Sequence, residues 1–183
     1  MTAKRFFDLI AAIVALLLTG WLILLLYIIQ SISTRSSGMF IQTRIGQFGK
    51  HFKIYKLRTI HPKNGNINNF SQFLRSSKLD ELPQILNIVE GTMSFVGPRP
   101  DIPGYYDKLT GEAVKVLELK PGLTSEASLK YRDEEALLLT KEDPLRYNDE
   151  VIFPDKVKMN LEYYYQRSLA LDIKIIIRTI FSR

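Results

Sequence analysis

The sequence contains no cysteine and only two histidines, His51 and His61, among its 183 residues. Disulfides, thiolate metal sites and a cysteine nucleophile are therefore excluded, and a zinc site built on histidine is not expected. The lack of disulfides fits a reducing compartment. A Walker A pattern, a Rossmann glycine pattern and a G-x-S-x-G elbow are also missing, so none of these common nucleotide-binding or hydrolase motifs applies.

Acidic residues are nearly missing from the first part of the chain. Residues 1–79 carry eleven lysines and arginines but a single acid, Asp8, whereas the remainder carries 14 basic and 18 acidic residues. This basic part would attract anions such as lipid headgroups, nucleotide phosphates or nucleic acid. Because the aromatic spacing and fold signature of a nucleic-acid-binding module are absent, no nucleic-acid partner is expected.

An uncharged apolar run extends from Leu9 to Ile29 and is long enough to cross the ~30 Å hydrocarbon layer as a helix. It contains no proline, and Thr19-Gly20 near its middle is a weak helix breaker. Cations flank both ends, Lys4-Arg5 and Arg35, so the positive-inside rule favours neither direction of a simple crossing. A straight anchor and a re-entrant hairpin both fit; we predict a hairpin broken at Thr19-Gly20, with both ends cytoplasmic.

The rest of the chain predicts a mixed α/β, helix-rich fold. Alternation around two glycines in Met39–Leu57 predicts two short strands joined by a turn. Helical spacing is expected in three segments: Ser71–Val89 with an interruption at Pro83, Ser125–Lys141, and Pro154–Phe181. The last segment mixes apolar and basic residues, so it could pack on the core or lie in the headgroup layer as an interfacial amphipathic helix. We divide the chain into a membrane-embedded part, residues 1–36, and a catalytic domain, residues 37–183.

Asp80-Glu81 is the first pair of carboxylates after the basic tract. It can be interpreted as a capping device, with Ser77-x-x-Asp80 as a capping box and Asp80 as the N-cap of a helix. It can also be interpreted as a reactive site, because Arg75 and Lys78 are near in sequence and suit phosphate. Beside such cations a carboxylate should keep a low pKa, and could act as a nucleophile or bind a hard cation.

Other cations are candidates for phosphate binding. Gly97-Pro98-Arg99-Pro100 places the Arg99 guanidinium on a stiff turn, which lowers the entropy lost when it binds an anion. Lys56 and Arg58 alternate on a predicted strand and should point to one face. Each of these three side chains could instead be a solvated surface group.

These features occur within a longer series of strings. In chain order they are Lys4–Asp8, Phe40–Gly46, Phe52–Thr59, Leu79–Asn87, Gly91–Pro100, Lys120–Thr124 and Ser168–Asp172. The most specific combination is Leu-Asp-Glu-Leu-Pro-Gln followed by Val-Gly-Pro-Arg-Pro. In this order the strings resemble the small monotopic phosphoglycosyl transferases of the bacterial sugar transferase family.

The resemblance implies a reaction at the cytoplasmic face of a bacterial inner membrane. A sugar 1-phosphate passes from a UDP-sugar to polyprenyl (undecaprenyl) phosphate, and UMP is released. Asp80 would be the nucleophile that forms a covalent phosphosugar intermediate, and Glu81 its partner, with Mg²⁺ at both. Lys56, Arg58, Arg75 and Arg99 would bind substrate phosphates. Membrane lipids are expected partners, and an oligomer is possible.

The chain departs from the family pattern at three places, and at one of them, after Leu57-Arg58-Thr59, it is shorter than many members. Thr19-Gly20 replaces the usual Ser-Pro kink, and the frequent Thr-Gly-Trp-Ala-Gln string is replaced by Thr124–Glu135. In that replaced region Arg132 and Glu135 are candidates for contacting the nucleotide sugar. Two other functions stay open: a lipid-linked phosphotransferase without a covalent step, and a non-catalytic membrane-anchored scaffold that binds anionic lipid.

Overall fold

The fold is that of a computed structural model, in which residues 3–181 are described. Residues 1–2 and 182–183, the outer ends of the two predicted domains, lie outside the described residues. The helices are α1 Ala3–Thr34, α2 Asn69–Ser76, α3 Gln84–Glu90, α4 Glu126–Lys130, α5 Glu134–Leu139, α6 Pro144–Tyr147, α7 Phe153–Gln166 and α8 Leu169–Phe181. The strands are β1 Met39–Ile45, β2 His51–Leu57, β3 Ser94–Val96 and β4 Gly122–Thr124. Short 3-10 segments lie at Gln47–Gly49, Leu79–Glu81, Tyr106–Lys108 and Gly111–Glu118, and a π-helical turn at Asn148–Ile152.

The chain forms two compact units. The first comprises His51–Met93 with the described part of Met1–Arg44, and the second Ile45–Lys50 with the described part of Ser94–Arg183. These units follow from packing, so the predicted division at residue 36, between membrane-embedded and cytoplasmic parts, stays a prediction.

In the first unit, residues 68–89 run antiparallel along α1. Near the end of α1, Asn68 Nδ2 donates to Ser33 Oγ over 2.7 Å and Gln30 Nε2 donates to Ser71 Oγ over 3.0 Å. Leu26, Leu57 and Leu74 then form a buried cluster that joins α1, β2 and α2, and Leu79 packs against it. Near the start of α1, Arg5 donates to the carbonyls of Ile88 and Val89 at the end of α3. The turn between α2 and α3 therefore lies beside the middle part of α1.

The α1 helix is unbroken from Ala3 to Thr34, so the predicted break at Thr19-Gly20 is wrong. Thr19 Oγ1 donates to the Ala15 carbonyl over 2.7 Å within the continuous helix. A glycine costs a helix only about 1 kcal/mol, which packing along its whole length readily outweighs. Within residues 3–181 α1 is the one helix long and apolar enough to cross a membrane, and only 17% of its most apolar stretch is buried.

In the second unit, β3 and β4 pair in parallel, with Ser94 opposite Gly122 and Val96 opposite Thr124. One core cluster joins this small sheet to the last two helices, and another lies beneath the Gly111–Glu118 segment. The members of the first are Val96, Leu119, Tyr163 and Ile175, and those of the second are Ile45, Tyr106 and Val116. The end of the chain therefore packs on the core, one of the two interpretations left open by its sequence, and its placement in the headgroup layer stays a prediction.

The expected helix-rich α/β fold with a long apolar N-terminal helix is confirmed, as are the two strands within Met39–Leu57. Ser125–Lys141 and Pro154–Phe181 are each divided into two helices, at residues 131–133 and 167–168. Neither division coincides with a proline or glycine, and for that reason sequence patterning could not predict it. Along α8 the side chains of Ile173, Ile177 and Ile180 are exposed, so the outer face of this helix is apolar.

Candidate active site

Asp80 and Glu81 lie in the 3-10 turn Leu79–Glu81 that links α2 to α3. The turn begins at Lys78, whose backbone is left-handed with φ 58° and ψ 17°, and the Glu81 amide donates to the Lys78 carbonyl over 3.1 Å. A left-handed backbone is costly for a residue with a side chain, and such residues are frequent at functional sites. Asp80 is 9% and Glu81 7% exposed, so both carboxylates are withdrawn from water.

The predicted capping role of Asp80 is wrong. Helix α3 begins at Gln84, and Pro83 occupies the N-cap position without a side-chain cap. Ser77 instead ends α2, where its hydroxyl donates to the Phe73 carbonyl over 2.7 Å. The burial of the Asp80 carboxylate therefore has no explanation in helix capping.

A buried asparagine fastens α3 to β2. The Asn87 side chain donates to the Lys53 carbonyl over 2.7 Å and accepts from the Tyr55 amide over 3.1 Å. The next residue along β2, Lys56, reaches Glu81, with 3.0 Å between Nζ and Oε1. The side chains of this ion pair are only 18% and 9% exposed, so the contact is well shielded from solvent.

The carboxyl of Asp80 has an unusual environment. Burial is the largest cause that raises the pKa of Asp80 to about 6, and the Glu81 charge raises it further, whereas Lys56, Lys78 and Arg75 lower it. The expectation of a low pKa is therefore wrong, because desolvation outweighs the three cations. Asp80 Oδ1 is buried and has no hydrogen-bond partner among the described residues. An oxygen in this state is available to a ligand.

The structure brings two of the predicted phosphate-binding residues of this unit, Lys56 and Arg75, into the field of Asp80. Lys78, which the sequence also placed near the carboxylates, acts on Asp80 as well. Arg58 lies elsewhere: its guanidinium donates to the carbonyls of Ser37, over 2.8 Å, and Met39, over 3.3 Å. It thus holds the connection between α1 and β1, and its role in phosphate binding stays a prediction.

In the second unit, the Gly97–Pro100 turn is fastened to both ends of β4. Gly97 N donates to the Thr124 carbonyl over 3.0 Å, and Gly122 N donates to the Pro98 carbonyl over 2.8 Å. A Cβ on Gly97 would lie 2.2 Å from the Lys120 carbonyl oxygen, and one on Gly122 would lie 2.1 Å from Gly97 N. Only glycine permits this approach, which fixes the backbone that carries Arg99. Its contact with phosphate stays a prediction.

Arg132 and Glu135 are exposed and flank the start of α5. Their neighbours are tied to α7: Tyr131 donates to Asp155 over 2.7 Å, and Lys156 donates to Glu134 over 2.6 Å. The segment that replaces the family's usual string is thus held in place by its own polar contacts. That Arg132 and Glu135 contact the nucleotide sugar stays a prediction.

Within residues 3–181 no group of three or more His, Cys, Asp or Glu side chains is placed to hold a metal ion. Asp80 and Glu81 nevertheless form a pair of adjacent carboxylates with an unpaired oxygen. Such a pair suits Mg²⁺, which keeps several water ligands and binds through one or two carboxylates together with substrate phosphates. The predicted ligands therefore fit this ion.

Comparison with known proteins identifies the family. The family model described as bacterial sugar transferase matches residues 1–183. The protein named uncharacterized sugar transferase EpsL of Bacillus subtilis (strain 168) is 30% identical, over 98% of this chain and 86% of that protein. The chain belongs to the bacterial sugar transferase family, and the resemblance found in its motifs is confirmed.

Two further relatives are named UDP-glucose:undecaprenyl-phosphate glucose-1-phosphate transferase. That of Xanthomonas campestris pv. campestris is 33% identical over 98% of this chain, which spans 38% of the relative's length. That of Caulobacter vibrioides is 30% identical over 97% of this chain and 68% of its own length.

Proposed function

We propose that this chain transfers a sugar 1-phosphate from a UDP-sugar to polyprenyl phosphate and releases UMP. The observation that carries the proposal is the buried Asp80 carboxyl, whose Oδ1 has no partner among residues 3–181, beside Lys56, Lys78 and Arg75. A nucleophile needs an unoccupied oxygen, and two polyanionic substrates need cations near the reacting phosphorus. The names of the Xanthomonas and Caulobacter relatives support the same donor and acceptor classes.

The reaction proceeds in two displacements at one phosphorus atom. Asp80 attacks the β-phosphorus of the UDP-sugar, an O–P bond forms, and the bond to the oxygen that bridges to the α-phosphate breaks. UMP leaves with that oxygen and the bonding electrons. A phosphate oxygen of the polyprenyl phosphate then attacks the same phosphorus, the bond to Asp80 breaks, and the carboxylate is restored. The product is a polyprenyl-diphosphate sugar.

The residues around Asp80 hold and screen the substrates. Asp80 and Glu81 would hold Mg²⁺, which supplies charge neutralisation at the phosphate oxygens when bound. Lys56 keeps Glu81 in place through their 3.0 Å ion pair. Lys78 and Arg75 lower the repulsion between the Asp80 carboxylate and the incoming diphosphate, because both add positive charge near it.

The contacts at the two ends of α1 indicate how this helix is placed relative to the membrane. Its two ends are bound to the same unit through Arg5 and through Gln30 and Ser33, and the Asp80 turn lies between these points. If α1 crossed the bilayer, the charged turn would lie at the depth of the hydrocarbon, at a large cost in free energy. We infer that α1 stays at one face, the cytoplasmic face where UDP-sugars are made.

The exposed side of α1 provides the membrane contact. Leu17 is 78%, Leu18 69% and Trp21 66% exposed, and together with neighbouring apolar side chains they form a stripe along the helix. At about 1.5 Å per residue, the helix offers an apolar face roughly 45 Å long. The association is therefore monotopic, with the helix embedded in one leaflet.

The experiment is a screen for UMP release from a panel of UDP-sugars, starting with UDP-glucose, in the presence of polyprenyl phosphate and Mg²⁺. Asp80→Asn and Glu81→Gln should each lower turnover on the order of 10²-fold or more. Glu142→Gln, which removes one negative charge at an exposed position, is the matched control and should retain activity. Absence of UMP release with every UDP-sugar, together with intact lipid binding, would support the scaffold instead.

A further inference from the structure

Gln84 is a second buried polar group near Asp80, at the first position of α3. It is 2% exposed, and its Nε2 has no hydrogen-bond partner among the described residues. It follows Glu81 by three residues and Asp80 by four. The backbone between them is helical, with hydrogen bonds from Leu82 N to the Leu79 carbonyl and from Ile85 N to the Leu82 carbonyl. Residues three and four apart share one side of a helical backbone, so this spacing puts Gln84 on the side that carries Asp80 and Glu81.

A buried amide without a partner lowers the stability of the folded state, because it has lost water and gained nothing in return. Asn87, one turn further along α3, gives the contrast. It is fully buried, and both atoms of its amide are bonded, to the Lys53 carbonyl and the Tyr55 amide. The hydrogen bonds of Asn87 therefore account for its burial as a structural residue, whereas no hydrogen bond in the described part of the chain accounts for the burial of Gln84 Nε2.

The Gln84 donor and the Asp80 acceptor, both without a hydrogen-bond partner among the described residues, are thus four residues apart. A ligand that bonds to both groups must offer an electrophilic atom to Asp80 Oδ1 and an oxygen acceptor to Gln84 Nε2. A phosphate does so, with its phosphorus for Asp80 and a non-bridging oxygen for Gln84. A neutral donor suits this buried place, because it stabilises charge on the phosphate oxygens without an added desolvated charge.

We propose that Gln84 is a further catalytic residue, whose side-chain amide donates to a non-bridging oxygen of the transferred phosphate while Asp80 forms its bond to phosphorus. This inference rests on the proposed function. Loss of one such donor typically lowers a rate 10²- to 10³-fold, by about 2.7–4 kcal/mol. The donor acts on the covalent step, so the rate of adduct formation should fall more than the affinity for UDP-sugar.

The test is single-turnover formation of the phosphosugar adduct, without polyprenyl phosphate, using the UDP-sugar that is active in the UMP screen. Gln84→Met keeps the length of the side chain and removes the donor. It should slow adduct formation about 10²-fold, change the KM for UDP-sugar little, and leave Tm unchanged or higher. Gln84→Glu, which brings a negative charge toward the phosphate, should be at least as slow.

Asn87→Leu is the control for a structural amide, because it removes bonds that the structure contains, and it should lower Tm. If Gln84→Met lowers Tm as Asn87→Leu does, Gln84 is structural and the inference is wrong. An adduct formed by Gln84→Met or Gln84→Glu at the wild-type rate would also overturn it. If the wild type itself forms no adduct, the proposed covalent function fails, and the inference with it.

Discussion

At the residue scale, the buried negative charge of Asp80 lowers the stability of the folded protein and favours the proposed reaction. Its carboxyl is desolvated and lies beside Glu81, and these two causes raise its pKa to about 6 despite Lys56, Lys78 and Arg75. At neutral pH the group is therefore ionised in a place that disfavours ionisation. Attack on phosphorus removes this negative charge from the carboxylate, so the same environment favours the reaction.

Asp80→Asn should therefore stabilise the protein. Because the folded-state pKa lies above the unfolded value, Asp80 costs no stability at a pH below the ordinary aspartate pKa; its cost grows as the pH rises from there to about 6 and is complete above that. The variant should exceed the wild type by about 3 kcal/mol at pH 7.5, and the difference should shrink toward pH 5. Thermal unfolding at both values measures this. A variant that is less stable at pH 7.5 would show that the carboxylate is structurally paired.

Lys78 offers a separate test, because replacing it by glycine removes its charge and relieves its left-handed backbone, so a loss of activity would not come from a loss of stability. Lys78→Gly relieves a left-handed backbone that costs a non-glycine residue about 1–2 kcal/mol. It should retain or increase Tm, yet lower turnover about tenfold, the effect of losing about 1.4 kcal/mol of transition-state stabilisation. Lys78→Arg keeps the charge and should retain most activity. Full activity of Lys78→Gly would mean that the ammonium does not act on the substrates.

At the scale of elements, α1 and the segment 68–89 form one structural piece, since polar contacts join them near both ends. The turn that carries Asp80 is thereby held at a fixed place beside α1. With α1 in the membrane as proposed, a lipid-borne substrate reaches this turn without a large movement of the chain.

This arrangement predicts where both ends of α1 lie. Single cysteines at Ala3 and Ser36 should be protected from an impermeant thiol reagent in intact cells and labelled in inverted vesicles; the native chain has no cysteine to interfere. Replacing Thr19-Gly20 by Leu-Leu should leave this pattern unchanged, because the helix is already unbroken. Labelling of residue 3 in intact cells would contradict the monotopic placement.

How far the sequence predicts the site depends on the type of signal. The carboxylate pair and its nearby cations could be found from charge pattern and local spacing, and the glycines of the Gly97–Pro100 turn from their motif. The unpaired amide of Gln84 and the elevated pKa of Asp80 could not, because both depend on burial by residues distant in sequence. Strand alternation likewise could not predict that the Arg58 guanidinium donates to the carbonyls of Ser37 and Met39.

At the scale of the whole molecule, the uneven distribution of charge along the sequence corresponds to the division into two units. The basic residues 1–79 and the carboxylates of the Asp80 turn belong largely to the first unit, together with the apolar membrane helix. The apolar helix, most of the basic residues and the proposed nucleophile thus belong to one compact part of the chain. The second unit holds Arg99 on its fixed turn and the segment with Arg132 and Glu135, where we expect differences in sugar choice to arise.

The central claim is that Asp80 carries the transferred phosphosugar, and intact-protein mass spectrometry tests it most directly. Wild-type protein mixed with an active UDP-sugar and Mg²⁺, without polyprenyl phosphate, should release UMP and gain the mass of one phosphosugar. Fragmentation should locate this mass on Asp80, and added polyprenyl phosphate should remove it. Asp80→Asn should show no adduct. Turnover by the wild type without any adduct, with UMP released only when both substrates are present, would contradict the account.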